Sequence, residues 1–160
     1  MRLHNGAMIL DTRIVNPSSP SMATYASVRI DTGDDVALLD PTIISAIGAT
    51  PTGSVMVMGL DGRVYQAPTY TLDVDLGSAG YLAGVTFAAV DVSDLGVQGL
   101  FGDNELDRGV LVRNGPAKSF DFVVAEPSAG APSPPNYGLA AAALVTLVGF
   151  GAMAWAMVSS

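Results

Sequence analysis

Val28-Arg29-Ile30-Asp31-Thr32-Gly33 is the stretch on which the reading of this chain turns. Val28 and Ile30 alternate with Arg29, the period-two pattern of a strand with one apolar face. The strand runs directly into a carboxylate, a small hydroxyl residue and a glycine. Hydrolysis of a peptide bond needs a water polarised by a base and a protonated group near the carbonyl oxygen. Two carboxyls held together do both jobs, because like charges at close range cannot both ionise and so share one proton. Glycine allows such a loop to approach a two-fold mate, and threonine can lock it by hydrogen bonds.

Outward from this strand, period two recurs. In 70–76, Leu72, Val74 and Leu76 alternate with Thr71, Asp73 and Asp75, one buried face and one wet. Further strands are predicted over 7–15, 24–30, 54–58, 63–68, 81–91, 109–113 and 119–125, punctuated by Gly, Pro, Asn and Asp. Leu60-Asp61-Gly62-Arg63 predicts a hairpin turn between 54–58 and 63–68, and Asn114-Gly115-Pro116 turns the last pair. Met56 and Met58 alternate within a strand, and at least one is expected in the core. Two short helices interrupt the strands. Asp40 can cap the first, Pro41 fits its first position and Gly48 can end it. Asp103 to Gly109 makes about one turn. Many short strands with two small helices predict an all-β fold, a small closed barrel.

Composition narrows the chemistry. Of 160 residues, 49% are hydrophobic and only 14% charged, which excludes a wholly disordered chain. Fifteen acidic against seven basic residues give a net charge of -8, so no nucleic-acid partner is expected. There is no cysteine and one histidine, His4, expected to be solvated near the terminus. Thiolate nucleophiles, disulfides and multi-histidine metal centres are thereby excluded. Neither cofactor nor metal is expected, and carboxylates remain as the chemical groups.

Every charged residue lies between Arg2 and Glu126. Residues 126–136 carry four prolines and read as an extended linker. Tyr137 to Val158 is uncharged and mostly apolar, and about 20 such residues cross a hydrocarbon core of roughly 30 Å as a helix. A C-terminal transmembrane anchor is therefore expected over 137–158. Arg113 and Lys118 precede the span and nothing basic follows it, so the body, 1–125, is expected in the cytoplasm. The lack of an apolar run in residues 1–10 agrees with that expectation.

Taken together, the chain resembles the retropepsin-like aspartic proteases, single-domain enzymes that work as homodimers. Asp31-Thr32-Gly33 matches the family's catalytic triplet. Val36-Ala37-Leu38-Leu39 and the helix from Pro41 match the segment after it. The hairpin centred on Asp61-Gly62 stands where the family has its flap, and Gln98-Gly99-Leu100-Phe101-Gly102 before Asn104-Glu105-Leu106 matches its apolar-apolar-Gly element. The resemblance implies that Asp31 is the catalytic acid/base, paired with the Asp31 of a second chain. It implies that Thr32 bonds across the two-fold axis and that Gly33 lies against the substrate backbone. Gly59, Leu60, Asp61 and Gly62 become the flap tip over a protein or peptide substrate. Together with the tail, these expectations make a membrane-tethered aspartic endopeptidase.

Two features depart from the family pattern. Asp34 and Asp35 follow the triplet where a small residue, often Ala, is usual at the first position; in some members an acid at the position of Asp35 binds substrate main-chain amides. Asp103 stands where retroviral members place an arginine. A dimer would gather Asp31, Asp34 and Asp35 twice over, and repulsion among them should raise the apparent pKa values of the Asp31 dyad and weaken the dimer at neutral pH unless Arg29, Arg63 or Arg108 compensates. These departures motivate a second reading, a catalytically inactive dimeric binding or scaffolding module on the same fold.

Overall fold

The computed structural model describes residues 1–4, 6–58 and 63–125. The linker 126–136, the span 137–158 and the flap-tip residues Gly59, Leu60, Asp61 and Gly62 lie outside the described residues. Ten strands and two short helices follow in order: β1 (Arg2–His4), β2 (Ala7–Val15), β3 (Ala23–Ile30), β4 (Ala37–Leu39), α1 (Pro41–Ala46), β5 (Gly53–Met58), β6 (Val64–Asp75), β7 (Tyr81–Ala89), β8 (Gly99–Phe101), α2 (Asp103–Leu106), β9 (Gly109–Asn114) and β10 (Ser119–Val124). The fold is mostly β, as the punctuated alternation predicts.

Eight strands form one sheet in the order β1-β2-β3-β8-β4-β7-β6-β5, and β6 pairs again with β2 through Arg13–Asp75, Ile14–Val74 and Val15–Asp73. β9 and β10 make a separate two-stranded sheet. The inward residues of the main sheet form the core: Leu10 and Ile14 of β2, Val28 and Ile30 of β3, Leu72 and Val74 of β6, Leu82, Val85 and Phe87 of β7. Phe87 and Phe101 meet with ring centroids 6.2 Å apart, and Phe120 and Phe122 of β10 complete this core. Burial of each large apolar side chain contributes about 1.5–3 kcal/mol. A smaller cluster of Ile9, Val92, Val97 and Leu100 lies apart from it.

α1 forms as its end residues dictate. The Asp40 carboxylate accepts the Thr42 N–H at 2.8 Å and the Thr42 hydroxyl at 2.6 Å, Pro41 opens the helix, and Gly48 follows with φ +57°. Ile43, Ile44 and Ile47 are buried beneath it, and the Asn16 amide donates to the Ile47 carbonyl at 3.1 Å.

Several expectations need correction. The strands predicted over 63–68 and 70–76 are one strand, β6. Pro68 sits where β6 has β5 on one side only, since the β6–β7 ladder begins at Thr69–Ala88; a missing N–H is tolerated at such an edge. β7 ends at Ala89 rather than 91, and β1, β4 and β8, three residues each, are not among the predicted strands. Met56 and Met58 are both exposed, at 61% and 74%. They lie on the outer half of the β5–β6 hairpin, beyond the part that β7 covers.

Candidate active site

Ile30 ends β3 with its side chain buried, and the Asp31 N–H donates to the Phe101 carbonyl at 2.9 Å. The acid therefore leaves the sheet from a fixed point. β8 runs parallel to β3 on one side and antiparallel to β4 on the other. The two strands that flank the Asp31–Val36 loop are thus held apart by Gly99–Phe101, and the loop spans the end of β8. Close packing enforces this: a Cβ at Gly99 would stand 2.9 Å from the Leu38 carbonyl oxygen.

The Asp31 side chain is about one-third exposed, and its Oδ2 lies 3.7 Å from Arg29 Nη2. The Gly33 N–H donates to Asp31 Oδ1 at 3.3 Å, and the Asp34 N–H to the Asp31 carbonyl at 3.3 Å. The loop thus turns around its own carboxylate. Thr32 and Gly33 are exposed. Among the described residues, a Cβ at Gly33 would meet nothing within 4 Å except Asp31 Oδ1, at 3.6 Å. Nothing among the described residues demands glycine there.

Asp34 is partly buried. Partial burial, then repulsion from Asp31 and Asp35, pushes its carboxyl above the ordinary range, and Arg29 pulls it back. Of the three arginines named as possible compensators, Arg29 acts on this loop. Arg108 instead donates to the Ala83 carbonyl at 2.9 Å and acts on Glu105. Asp35 is exposed, and its carbonyl accepts the Asn104 side-chain amide.

The Leu100-Phe101-Gly102 element meets the acid loop at close range. A Cβ at Gly102 would stand 2.1 Å from the Asp34 carbonyl oxygen and 2.9 Å from its carbon, so glycine is required by contact rather than by φ, which is −92°. The Asp103 N–H donates to the same Asp34 oxygen at 2.8 Å. Asp103 thus holds the loop through its backbone N–H, at the Asp34 carbonyl. Glu105, buried at 5% exposure, accepts the Gly102 N–H at 3.3 Å. Sequence reasoning gave it no role, although an acid three residues after a helix start is the signal for this bond.

A cleft of about 950 Å³ adjoins the loop through Arg29, lined also by Arg2, His4, Ile9, Leu95 and Val97. The β5–β6 hairpin, with Met58 opposite Val64, exposes Met56, Met58, Val64 and Tyr65.

No family model matches the sequence, and no curated protein is significantly similar to it. The fold is similar to that of a solved structure described as a retropepsin-like aspartic protease from Rickettsia conorii. That protein is 18% identical, with a TM-score of 0.50 over 71% of this chain and 80% of the other. At that identity the likeness is one of fold: the described residues have a retropepsin-like architecture.

Proposed function

We propose that the chain is an aspartic endopeptidase, active as a homodimer and tethered to a membrane by residues 137–158. The observation that carries the reading is the Asp31-Thr32-Gly33 loop, pinned at the end of β3 with its carboxyl partly exposed and turned toward the Gly33 N–H. Two such loops facing each other would place two Asp31 carboxyls around one proton. The ionised member takes a proton from water as the water oxygen bonds to the peptide carbon, and the protonated member hydrogen-bonds the carbonyl oxygen. Collapse of the tetrahedral intermediate breaks the C–N bond, with a proton passing from the dyad to the leaving nitrogen.

The remaining parts support this assembly. Exposed Thr32 is free of burial constraints and suits a bond to a second copy. Gly33, which the described protomer does not oblige to be glycine, suits close approach by a partner loop or a substrate backbone. The apolar outer half of the β5–β6 hairpin suits a flap, with Gly59, Leu60, Asp61 and Gly62 at its tip and Asp35 meeting substrate amides below. The cleft beside Arg29 would take side chains next to the scissile bond. The pairing of β2 with both β3 and β6 supports a small closed barrel. Confinement to a membrane raises the effective concentration of protomers, with the protease domain, 1–125, placed in the cytoplasm and the linker 126–136 between.

The test is digestion of a denatured-protein peptide library by the full chain and by Asp31→Asn, beside sedimentation of both. The parent is expected to cleave as a dimer, and the variant to lose on the order of 10²–10⁴-fold in kcat while remaining dimeric. Undiminished cleavage by Asp31→Asn, or a strictly monomeric parent, would refute the reading. A dimeric parent that binds peptides without cleaving them would favour the scaffolding alternative.

A further inference from the structure

One buried ionisable group takes no part in the proposed hydrolysis. Glu105 stands in the single turn of α2 and holds the Gly102 N–H. Gly102 is the residue pressed against the Asp34 carbonyl. Asp103 donates its N–H to that same oxygen, and Asn104 donates to the Asp35 carbonyl. Three successive residues are therefore tied to the acid loop, and Glu105 anchors the first of them from behind. It touches neither Asp31 nor the cleft. It lines a separate pocket of about 330 Å³ with Val36, Thr86 and Arg108. Gly84 of β7 also lines that pocket, at a bulge where its φ is +65° and the pairing with β6 shifts register between Leu72 and Val74.

Resting on the protease reading, we infer that Glu105 is a positioning residue: its carboxylate seats Gly102 against Asp34, and uptake of a proton there changes how the acid loop is held. An ionised acceptor makes a bond about twice as strong as a neutral one, so the seat is firmer when Glu105 is charged. Burial pushes the Glu105 carboxyl up to about 7, against the pull of the Gly102 N–H, its own N–H and Arg108. The charged groups on the surrounding elements are Asp34 and Asp35 on the loop, Asp103, Asp107 and Arg108 on and after α2, and Arg113 on β9; β8 brings none. Arg108 is the one whose charge acts on Glu105.

The experiment is an amide NMR titration of the full chain across neutral pH, with peptide hydrolysis measured in parallel. In the parent, the Gly102 and Asp103 amide shifts should move with a midpoint near 7, and in Glu105→Gln they should stay flat. Glu105→Leu removes the acceptor. Its Gly102 amide should exchange faster and its kcat should fall by about 10–100-fold, with KM within about twofold. Glu105→Gln, which keeps an acceptor, should restore kcat to within about threefold below pH 6. A Gly102 shift that does not titrate, or equal kcat values for the Leu and Gln variants, overturns the inference. Should the parent cleave no peptide, the protease reading fails, and the amide titration alone still decides the role of Glu105. It decides as well if the Leu variant does not fold.

Discussion

Gly102→Ala is the sharpest perturbation of the contact between the two halves of the site. The added methyl would stand 2.1 Å from the Asp34 carbonyl oxygen, 2.9 Å from its carbon and 3.2 Å from the Val36 nitrogen. All three are backbone atoms, so no side chain can swing aside, and the loop or α2 must move by about 1 Å to restore ordinary contact. Such a shift breaks the 2.8 Å bond from Asp103 to the Asp34 carbonyl and the Asn104–Asp35 bond, at about 1 kcal/mol each. Overpacking adds about 1–3 kcal/mol. The variant should therefore lose about 3–5 kcal/mol, or about 10–20 °C in Tm for a domain of this size. On the protease reading, displacement of the acid loop should also lower kcat/KM by about 10²-fold. Circular dichroism melts and peptide hydrolysis on the full chain measure both. Gly33→Ala is the control: its methyl meets Asp31 Oδ1 at 3.6 Å, so stability should change by less than about 1 kcal/mol, while activity falls through the partner or the substrate. If Gly102→Ala melts within about 2 °C of the parent, the contact between the two motifs is not what holds the loop.

Three further outcomes follow from named interactions. Asp40→Ala removes a nearly buried cap that accepts two hydrogen bonds from Thr42 and should cost about 1–2 kcal/mol in urea denaturation; an unchanged midpoint would show that α1 does not depend on its cap. Because the Glu105 carboxyl is raised from 4.5 to about 7, its contribution to stability is fully present below about pH 4.5 and is lost as pH rises through 7. Denaturation of the parent and of Glu105→Gln at several pH values should therefore show the difference shifting in the variant's favour between pH 5 and 8, by on the order of 2 kcal/mol; a constant difference contradicts the burial argument. Arg29→Met removes the charge that pulls Asp34 down, so carboxyl NMR should find Asp34 titrating at higher pH than in the parent, and no change would mean Arg29 is too well solvated to act.

Legibility in the sequence followed the range of the interactions. The alternation in 7–15 and the Asp40-Pro41…Gly48 punctuation are local, and β2 and α1 appear where they predict. β8 was missed because three residues carry no period, and its identity as a strand comes wholly from its neighbours β3 and β4. Pro68 signalled a break because the sequence does not say on which side of β6 a partner lies. Met56 and Met58 have the spacing of a half-buried strand, but burial depends on whether another layer covers the hairpin. At the site, the triplet and the Leu100-Phe101-Gly102 element were each legible. Their contact was not, since Gly102 and Asp34 stand 68 positions apart in the chain. Glu105 offered a signal at the third helical position, yet nothing local shows that its carboxyl is buried.

The insertion of β8 between β3 and β4 has a consequence for biosynthesis. Val28 pairs with Gly99, and Leu38 with Leu100, so the frame around Asp31 closes only after a long loop has been drawn shut. A nascent chain that has emerged only as far as Val97 already displays the acid triplet but lacks the β8 strand that pins Asp31 and separates β3 from β4. Assembly of the loop is deferred until most of the domain has left the ribosome, and such distant pairing slows folding. On the protease reading, the site would stay inert until β8 has been made and has paired with β3 and β4.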